Sequence, residues 1–558
     1  MKRFALFFSL FMLCLVVKAN PVSRSQALKE AKSFLATKGV EMNTSDAAYR
    51  APRKANAQEG ESSYYYIFNV GNDEGFVIVS GDDRTEQILG YSDSGSFDEE
   101  NMPEPLKEWL DGYAKEMESI IEVDANEYES LSPRRAQEMT KKSIAPLTTS
   151  KWGNGLPYTY KTPIFNGRHA PAGCAPIALA QLLYYYKNHN INYLQADYVV
   201  NGRVILSKGT FFDWDNMIDE YIYKSYSTTQ QDAVSNLMYN VGRALLASYK
   251  PDGTLVSLAN QRLALVDCFG YNPSLAYIER EYYSNEDWEN IIYDELKQNR
   301  PVLYNAFSVE AGHTFLVDGY DNSGLFHINW GWRGVCNGFF RLSVLSSYKA
   351  GHLTSVEDDF YSFGMNHSAS LYVAPNSFGD VNSGNNILSA KFSSIKDNIC
   401  SCTYVNQSGK SGLYYFGLGY VDKNGSVKLL KQSSTSLTAL KNSNSYTNPY
   451  TLSLSDFTKV GLNNGNYSIL PIYKFGDNDE WKVCQYNNDF ILEAIVSPTD
   501  VVLSNNRKCK LEITDISFEG TGLKGKEQIV NATISNNSSV SGFNGDIYLF
   551  ASTTTAKG

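Results

Sequence analysis

The stretch AGHTFLVDGYDNSGLFHINWGWRGVCNGFFRL, residues 311–342, decides how this chain folds around its chemistry. Asp321-Asn322-Ser323-Gly324 is a dense turn signal, and HTFLVDGY and GLFHINW read as the two strands it joins. His313 and Asn329 stand sixteen residues apart, eight on either side of Asp321. A hairpin bent at Asp321 is expected to set them side by side. The imidazole can then take a proton from a nucleophile while the carboxamide holds the ring in orientation. Trp330 and Trp332 can cover that hydrogen bond from water, and Gly312 leaves room for a peptide backbone to lie close. His327, on the same hairpin, is the competing base. Its position two residues before Asn329 suits a structural role better.

The nucleophile comes from GRHAPAGCAPIALAQLLYYYK, residues 167–187. Cys174 sits where loop turns into helix, and Pro176 fits a first helical turn because its missing N–H costs nothing there. The positive end of the helix favours a thiolate. IALAQLLYYY is apolar nearly all round, so a central helix is expected, with the thiol at the tip of a rigid rod. On these residues alone, a small buried hydrophobe at a helix start is an equal reading.

The 558 residues are enough for several domains, and a hydrophobic fraction of 43% is ordinary for globular protein. With 49 Lys+Arg against 60 Asp+Glu the chain is acidic, and it has no basic stripe, which argues against a nucleic-acid partner. Residues 1–19 read as a secretory signal: Lys2 and Arg3, an apolar run from Ala5 to Val17, and cleavage after Ala19. That run is short for a membrane span, and no other run is long enough, so the expected location is secreted, periplasmic or cell-surface. Beyond the signal, Cys174, Cys268, Cys336, Cys400, Cys402, Cys484 and Cys509 make an odd, sparse set rather than a disulfide scaffold. Cys400-x-Cys402 lacks zinc spacing and reads as strand.

Composition divides the remainder. Residues 20–131 read as a small α+β domain. Ala27, Ala31, Phe34 and Leu35 line one helix that Ser23 or Ser25 caps, two strands flank a Gly-Asn-Asp-Glu-Gly turn, and Leu106, Leu110, Tyr113 and Met117 line a second helix. Residues 132–150 are polar and basic and read as an exposed linker in which a cut, expected between Ser132 and Thr149, would separate the two parts. Residues 151–375 hold the chemistry. Residues 380–507 show short strands between turn residues and read as a β-sandwich, and 509–558 as part of a second one.

Several blocks, AGCAPIALAQLLYYYK, FDWDNM, LMYNVGRALLASYKPDGT, WENIIYDELKQNRPVLYNA and above all GHTFLVDGYDNSGLFHINWGWRGVCNGFFRL, resemble the streptopain family in sequence and in order. The resemblance implies an α+β fold with a papain-like two-lobed catalytic domain, preceded by an inhibitory propeptide at 20–131. It implies a secreted cysteine endopeptidase made as a zymogen, acting on proteins or peptides, with no metal and no organic cofactor. By position, Cys174 matches the nucleophile, His313 the base, and Asn329 and Trp330 the Asn-Trp-Gly-Trp segment. Gly312 matches a substrate-backbone contact, and residues from Ser248 to Thr254, Gly253 and Thr254 among them, are expected to line the far wall of the specificity pocket. The family pattern carries a glutamine two residues after a tryptophan, whose amide helps hold the oxyanion. Here Trp152-Gly153-Asn154 offers Asn154, one methylene shorter. Two rival readings stand beside this one: a Cys–His amidase acting on cell-wall peptides, and a disabled protease scaffold that binds a partner through its Tyr-rich β domains.

Overall fold

The computed structural model describes residues 21–43, 48–52, 63–83, 85–122, 141–307, 312–343, 367–378, 388–407, 411–422, 425–433, 438–440, 445–476, 479–486, 492–504, 511–519 and 529–536. The proposed signal at 1–19 and Cys509 lie outside them. The chain divides into two compact units, 1–384 and 385–558.

The first unit begins with helix α1 (Arg24–Thr37), started by Ser23, whose hydroxyl accepts the Gln26 N–H at 3.3 Å. Its buried stripe is Ala27, Ala31 and Leu35, the spacing read from the sequence. Strands β1 (Tyr49–Pro52), β2 (Ser63–Asn69), β3 (Phe76–Ser80) and β4 (Ile88–Ser92) pair antiparallel in succession. Helix α2 (Glu104–Glu122) buries Leu106, Trp109, Leu110, Tyr113 and Met117.

The next part is built around helix α3 (Cys174–Tyr185), every residue of which from Ala175 to Tyr184 is buried. Helix α4 (Thr228–Ala244) packs on it behind a Ser227–Gln230 capping box. Strands β5 (Ala276–Glu279), β6 (Val302–Phe307), β7 (Gly312–Tyr320), β8 (Phe326–Asn329), β9 (Gly338–Phe340) and β10 (His367–Leu371), with helix α5 (Asn285–Lys297), complete it. All ten strands form one sheet in the order β1-β2-β3-β4-β9-β8-β7-β6-β10-β5. The N-terminal domain therefore joins the second through main-chain bonds, Phe339 opposite Tyr91 and Phe340 opposite Gly90. Lys38–Asp321 at 2.8 Å, Arg341–Glu86 at 3.3 Å and Ser343–Glu116 at 3.0 Å add polar contacts across that seam.

The β7–β8 hairpin corrects the symmetry assumed from the sequence. It turns about Ser323 rather than Asp321, with Tyr320 opposite Phe326 and Gly319 opposite His327; a one-residue bulge between Val317 and Gly319 takes back part of that shift, and Asn329 lies opposite Leu316, three residues along the strand from His313. At strand spacing that is about 10 Å of offset, so the hairpin alone does not put the two side by side.

The reading of residues 132–150 as an exposed linker meets the structure only in its C-terminal half, since residues 123–140 lie outside the described residues. Ile144 and Tyr320 exchange both backbone bonds at 2.7 and 2.8 Å, the Leu147 N–H reaches the Asp318 carbonyl at 2.8 Å, and Ser150 is buried. Residues 142–150 thus form a strap laid along β7.

In the second unit, β11 (Leu388–Lys396), β12 (Ile399–Asn406) and β15 (Ser445–Thr451) form one sheet. The other is built on β13 (Gly412–Val421), β14 (Val427–Gln432), β16 (Gly465–Phe475), β17 (Leu492–Val496) and β18 (Val501–Ser504), in the order β14-β13-β16-β17-β18. The two sheets share one buried cluster, with Tyr404 of the first stacked on Phe416 of the second at 4.4 Å. Cys400, Cys402 and Cys484 lie in that cluster as free thiols, as strand and core residues do. Strands 511–519 and 529–536 pair as a hairpin.

Candidate active site

Cys174 opens α3 because Gly173 before it has φ +94°, a conformation that suits glycine; a Cβ there would also stand 2.8 Å from Thr254 Cβ. The first bond of the helix runs from Ile177 N–H to the Gly173 carbonyl at 3.1 Å, so the N–H groups of Cys174 and Ala175 remain for other use. The half-buried Cys174 Sγ donates to the Gly312 carbonyl at 3.9 Å, which lays the thiol against the strand that carries His313. Burial pushes the Cys174 thiol up; the N–H groups of Thr314, Ala175 and Cys174 oppose this, and Glu108 adds to it. The helix end alone therefore does not produce the expected thiolate in this arrangement.

His313 faces the N-terminal domain. Its Nε2 stands 3.5 Å from Glu108 Oε1 of α2, and among the described residues neither ring nitrogen has a hydrogen-bond partner. Burial pushes its pKa down, opposed in part by Glu104. Trp109, one residue past Glu108, fills the neighbouring space. It meets Trp330 edge-on at 5.9 Å and Phe315 at 5.7 Å, and stacks on His367 at 4.9 Å. Trp330 is thus covered by the N-terminal domain, and the expected His313–Asn329 bond is absent.

Asn329 is held from elsewhere. Its Nδ2 donates to the Ser150 carbonyl at 2.9 Å and to Thr148 Oγ1 at 3.2 Å, and its Oδ1 accepts from Gly331 N–H at 3.1 Å and from Gln181 Nε2 at 3.3 Å. Gln181 Oε1 also accepts the Trp152 N–H at 3.1 Å. Sequence reasoning missed Gln181, Thr148, Glu108 and Trp109. The signal for Gln181 was there: it is the one amide inside an otherwise apolar helix, seven residues and so two turns from Cys174 on the same face.

His327 takes the structural role. Its Nδ1 bonds Asp318 Oδ1 at 2.5 Å, and the fully buried Asp318 carboxylate also accepts from the Thr148 N–H at 2.9 Å and from the Thr148 hydroxyl. Asn154 lies beside Cys174. Its side-chain oxygen accepts the Gly173 N–H at 2.8 Å, and because a backbone N–H only donates, the NH2 end must face the other way. Of the expected pocket wall, Thr254 Oγ1 donates to the Pro171 carbonyl at 2.7 Å, while Gly253 borders open space on a small hairpin, Ser248–Lys250 with Gly253–Leu255. Cys336 is a packed thiol, pushed up to about 12 by burial, and its carbonyl receives the Trp330 indole N–H at 3.0 Å.

A thiol at a helix start, a histidine on the adjoining strand and an N-terminal domain laid over both agree with the family comparison. The model of the peptidase C10 family matches residues 152–340, and the Spi protease inhibitor model matches 19–117. Streptopain of Streptococcus pyogenes is 33% identical over 313 residues, covering 52% of this chain and 77% of streptopain. This chain belongs to the peptidase C10 family. It is therefore a cysteine peptidase whose N-terminal domain is of the inhibitor type. The thiol protease/hemagglutinin PrtT of Porphyromonas gingivalis is 32% identical over 377 residues, but the chain spans only 43% of that protein. Among solved structures, a fragment of prointerpain A from Prevotella intermedia is similar at 26% identity and a TM-score of 0.46, covering 59% of this chain and 100% of the fragment. No helix among the described residues is long and apolar enough to cross a membrane.

Proposed function

We propose that the C10 chain is an exported endopeptidase made as a latent precursor, with a papain-like catalytic domain at 151–375 and β-sandwich domains after it. One observation carries the reading: Cys174 Sγ lies 3.9 Å from the carbonyl next to His313, while Glu108 of the prosegment stands 3.5 Å from the His313 ring. Thiol and imidazole share one corner, and the prosegment occupies the side from which the imidazole would be used.

Once the prosegment leaves, His313 turns to the thiol and Asn329 Oδ1 becomes its orienting acceptor. The thiolate attacks a peptide carbonyl, and the Cys174 N–H with the Asn154 amide holds the oxyanion. His313 protonates the departing amine and then activates water to release the acyl group. The Thr254 hairpin beside Gly173 forms a wall of the substrate pocket. The test is hydrolysis of casein by the purified precursor before and after self-processing, with muropeptides assayed in parallel. Casein cleavage that appears on processing is expected; cleavage of muropeptides alone would replace endopeptidase with amidase.

Two further results are expected. The His313 pKa is depressed in the latent form, so above about 6.5 both forms are neutral and pH has no leverage through this group. Below that value the released form gains a proton that the latent form resists, and release is favoured. Self-processing followed by gel should therefore speed up as pH falls through the range below 6.5. The mature N-terminus is the second. Residues 142–150 are tied to β7 and to Asn329, so the cut falls before Lys142, within or upstream of the N-terminal part of the span read as linker. Intact-mass measurement of the matured enzyme checks it; a terminus beyond Lys142 would contradict the assigned role of the strap.

A further inference from the structure

Asn154 has a reach to make up, being one methylene shorter than the glutamine of the family pattern. What lies across its loop is Arg333, in the Gly331-Trp332-Arg333-Gly334 turn after β8. The Arg333 N–H donates to the Trp152 carbonyl at 2.8 Å. Its side chain runs over both glycines that flank Asn154: an added Cβ at Gly153 would stand 2.5 Å from Arg333 Cγ, and one at Gly155 2.5 Å from Arg333 Nη2. The return contact is Lys151 over Gly334, where a Cβ would stand 2.8 Å from Lys151 Cδ. The two turns interlock through their glycines. Arg333 itself holds φ +59°, a left-handed conformation that a long side chain rarely takes, yet it is exposed and no core demands it.

We propose that Arg333 is a positioning residue: its stem and guanidinium brace the Gly153–Gly155 loop so that the short Asn154 amide reaches the oxyanion formed at Cys174. The proposal rests on the reading of Asn154 as an oxyanion donor. The brace acts on two fronts. Its backbone N–H fixes the start of the loop at Trp152, and its side chain closes the outer face of the loop and keeps Asn154 from swinging outward. The Gly173 N–H fixes Asn154 from the inner side. A side chain on Gly153 would meet the Arg333 stem and backbone and displace the brace, whereas one on Gly155 would meet the movable guanidinium end.

The test uses the matured full chain, titrated with a thiol-directed epoxide so that rates refer to active enzyme. Arg333→Gly, which accepts the positive φ, and Arg333→Asn, a second left-handed-tolerant variant, are measured with Asn154, Asn154→Ala and Asn154→Gln. Asn154→Ala alone is expected to lower kcat by roughly 10²–10³-fold. Arg333→Gly is expected to lower kcat roughly ten- to a hundredfold with KM little changed, as a small misplacement of a catalytic group does. It should have no further effect on Asn154→Ala and a small one on Asn154→Gln, whose longer side chain needs no brace. Arg333→Lys, which keeps the stem, should recover much of the rate. Unchanged kcat in Arg333→Gly and Arg333→Asn, or an equal loss on top of Asn154→Ala, would overturn the brace while leaving the oxyanion reading intact. Unchanged kcat in Asn154→Ala itself would remove the oxyanion reading, and the brace with it.

Discussion

Replacing Cys174 by alanine is expected to leave the precursor uncut and to lower peptide hydrolysis by roughly 10⁴-fold or more, the scale of nucleophile deletion in other acyl-transfer peptidases. Among the described residues, the thiol is the nucleophile in the corner placed to form an acyl-enzyme: His313, Asn329 and Asn154 act on protons, orientation and charge. The substitution removes one sulfur from a half-buried position, so the fold should persist, and an unchanged melting transition separates lost chemistry from lost structure. In the wild type the same thiol should react slowly with the epoxide before processing and fast afterwards. Burial holds it protonated while α2 covers the corner, and Glu108 adds to that effect. A Cys174→Ala precursor that matures by itself at the wild-type rate would assign the cut to another enzyme.

The second large effect is expected from the prosegment. Trp109→Ala should speed self-processing by roughly two to three orders of magnitude, because truncating a buried tryptophan costs about 3–5 kcal/mol and each 1.4 kcal/mol is tenfold. Trp109 is 5% exposed and touches Phe315, Trp330 and His367 across the interface, so the lost contacts belong to the bound prosegment. Removing the indole uncovers Trp330 and frees the space beside His313. The measurement is the half-time of the precursor band on a gel, against Leu35→Ala, which cuts a buried residue of α1 away from the corner. An equal acceleration by both would reduce Trp109 to general stability of the domain.

Much of the local structure could be read from the chain because it depends on nearest neighbours. The α1 cap at Ser23, the apolar stripe of α2, the turn at Asp321–Gly324 and the glycine that starts α3 each follow from steric rules acting over a few residues. The placement of Cys174 at a helix mouth is of the same kind. The partners of the site were legible only where one segment carried them. Gln181 stood out as a lone amide in an apolar helix, but its partner did not, and Thr148 gave no signal, because the role of both depends on Asn329 arriving from about 150 to 180 residues away. The strap at 142–150 looked like linker for the same reason: its composition is polar, but its backbone finds acceptors on β7.

By itself the sequence determined the chemistry on offer: a thiol at a helix N-terminus, a histidine and an asparagine on one hairpin, and a domain with enough apolar surface to dock ahead of them. Tertiary structure alone decided which of these groups meet. A turn centred on Ser323 rather than Asp321 set Asn329 out of register with His313, and the pairing of β4 with β9 brought Glu108 and Trp109 onto the ring and its neighbour. The reason is physical: periodicity and turn residues fix direction over a few residues, whereas register and docking are set by the summed packing of distant faces, to which no single segment of the chain gives access.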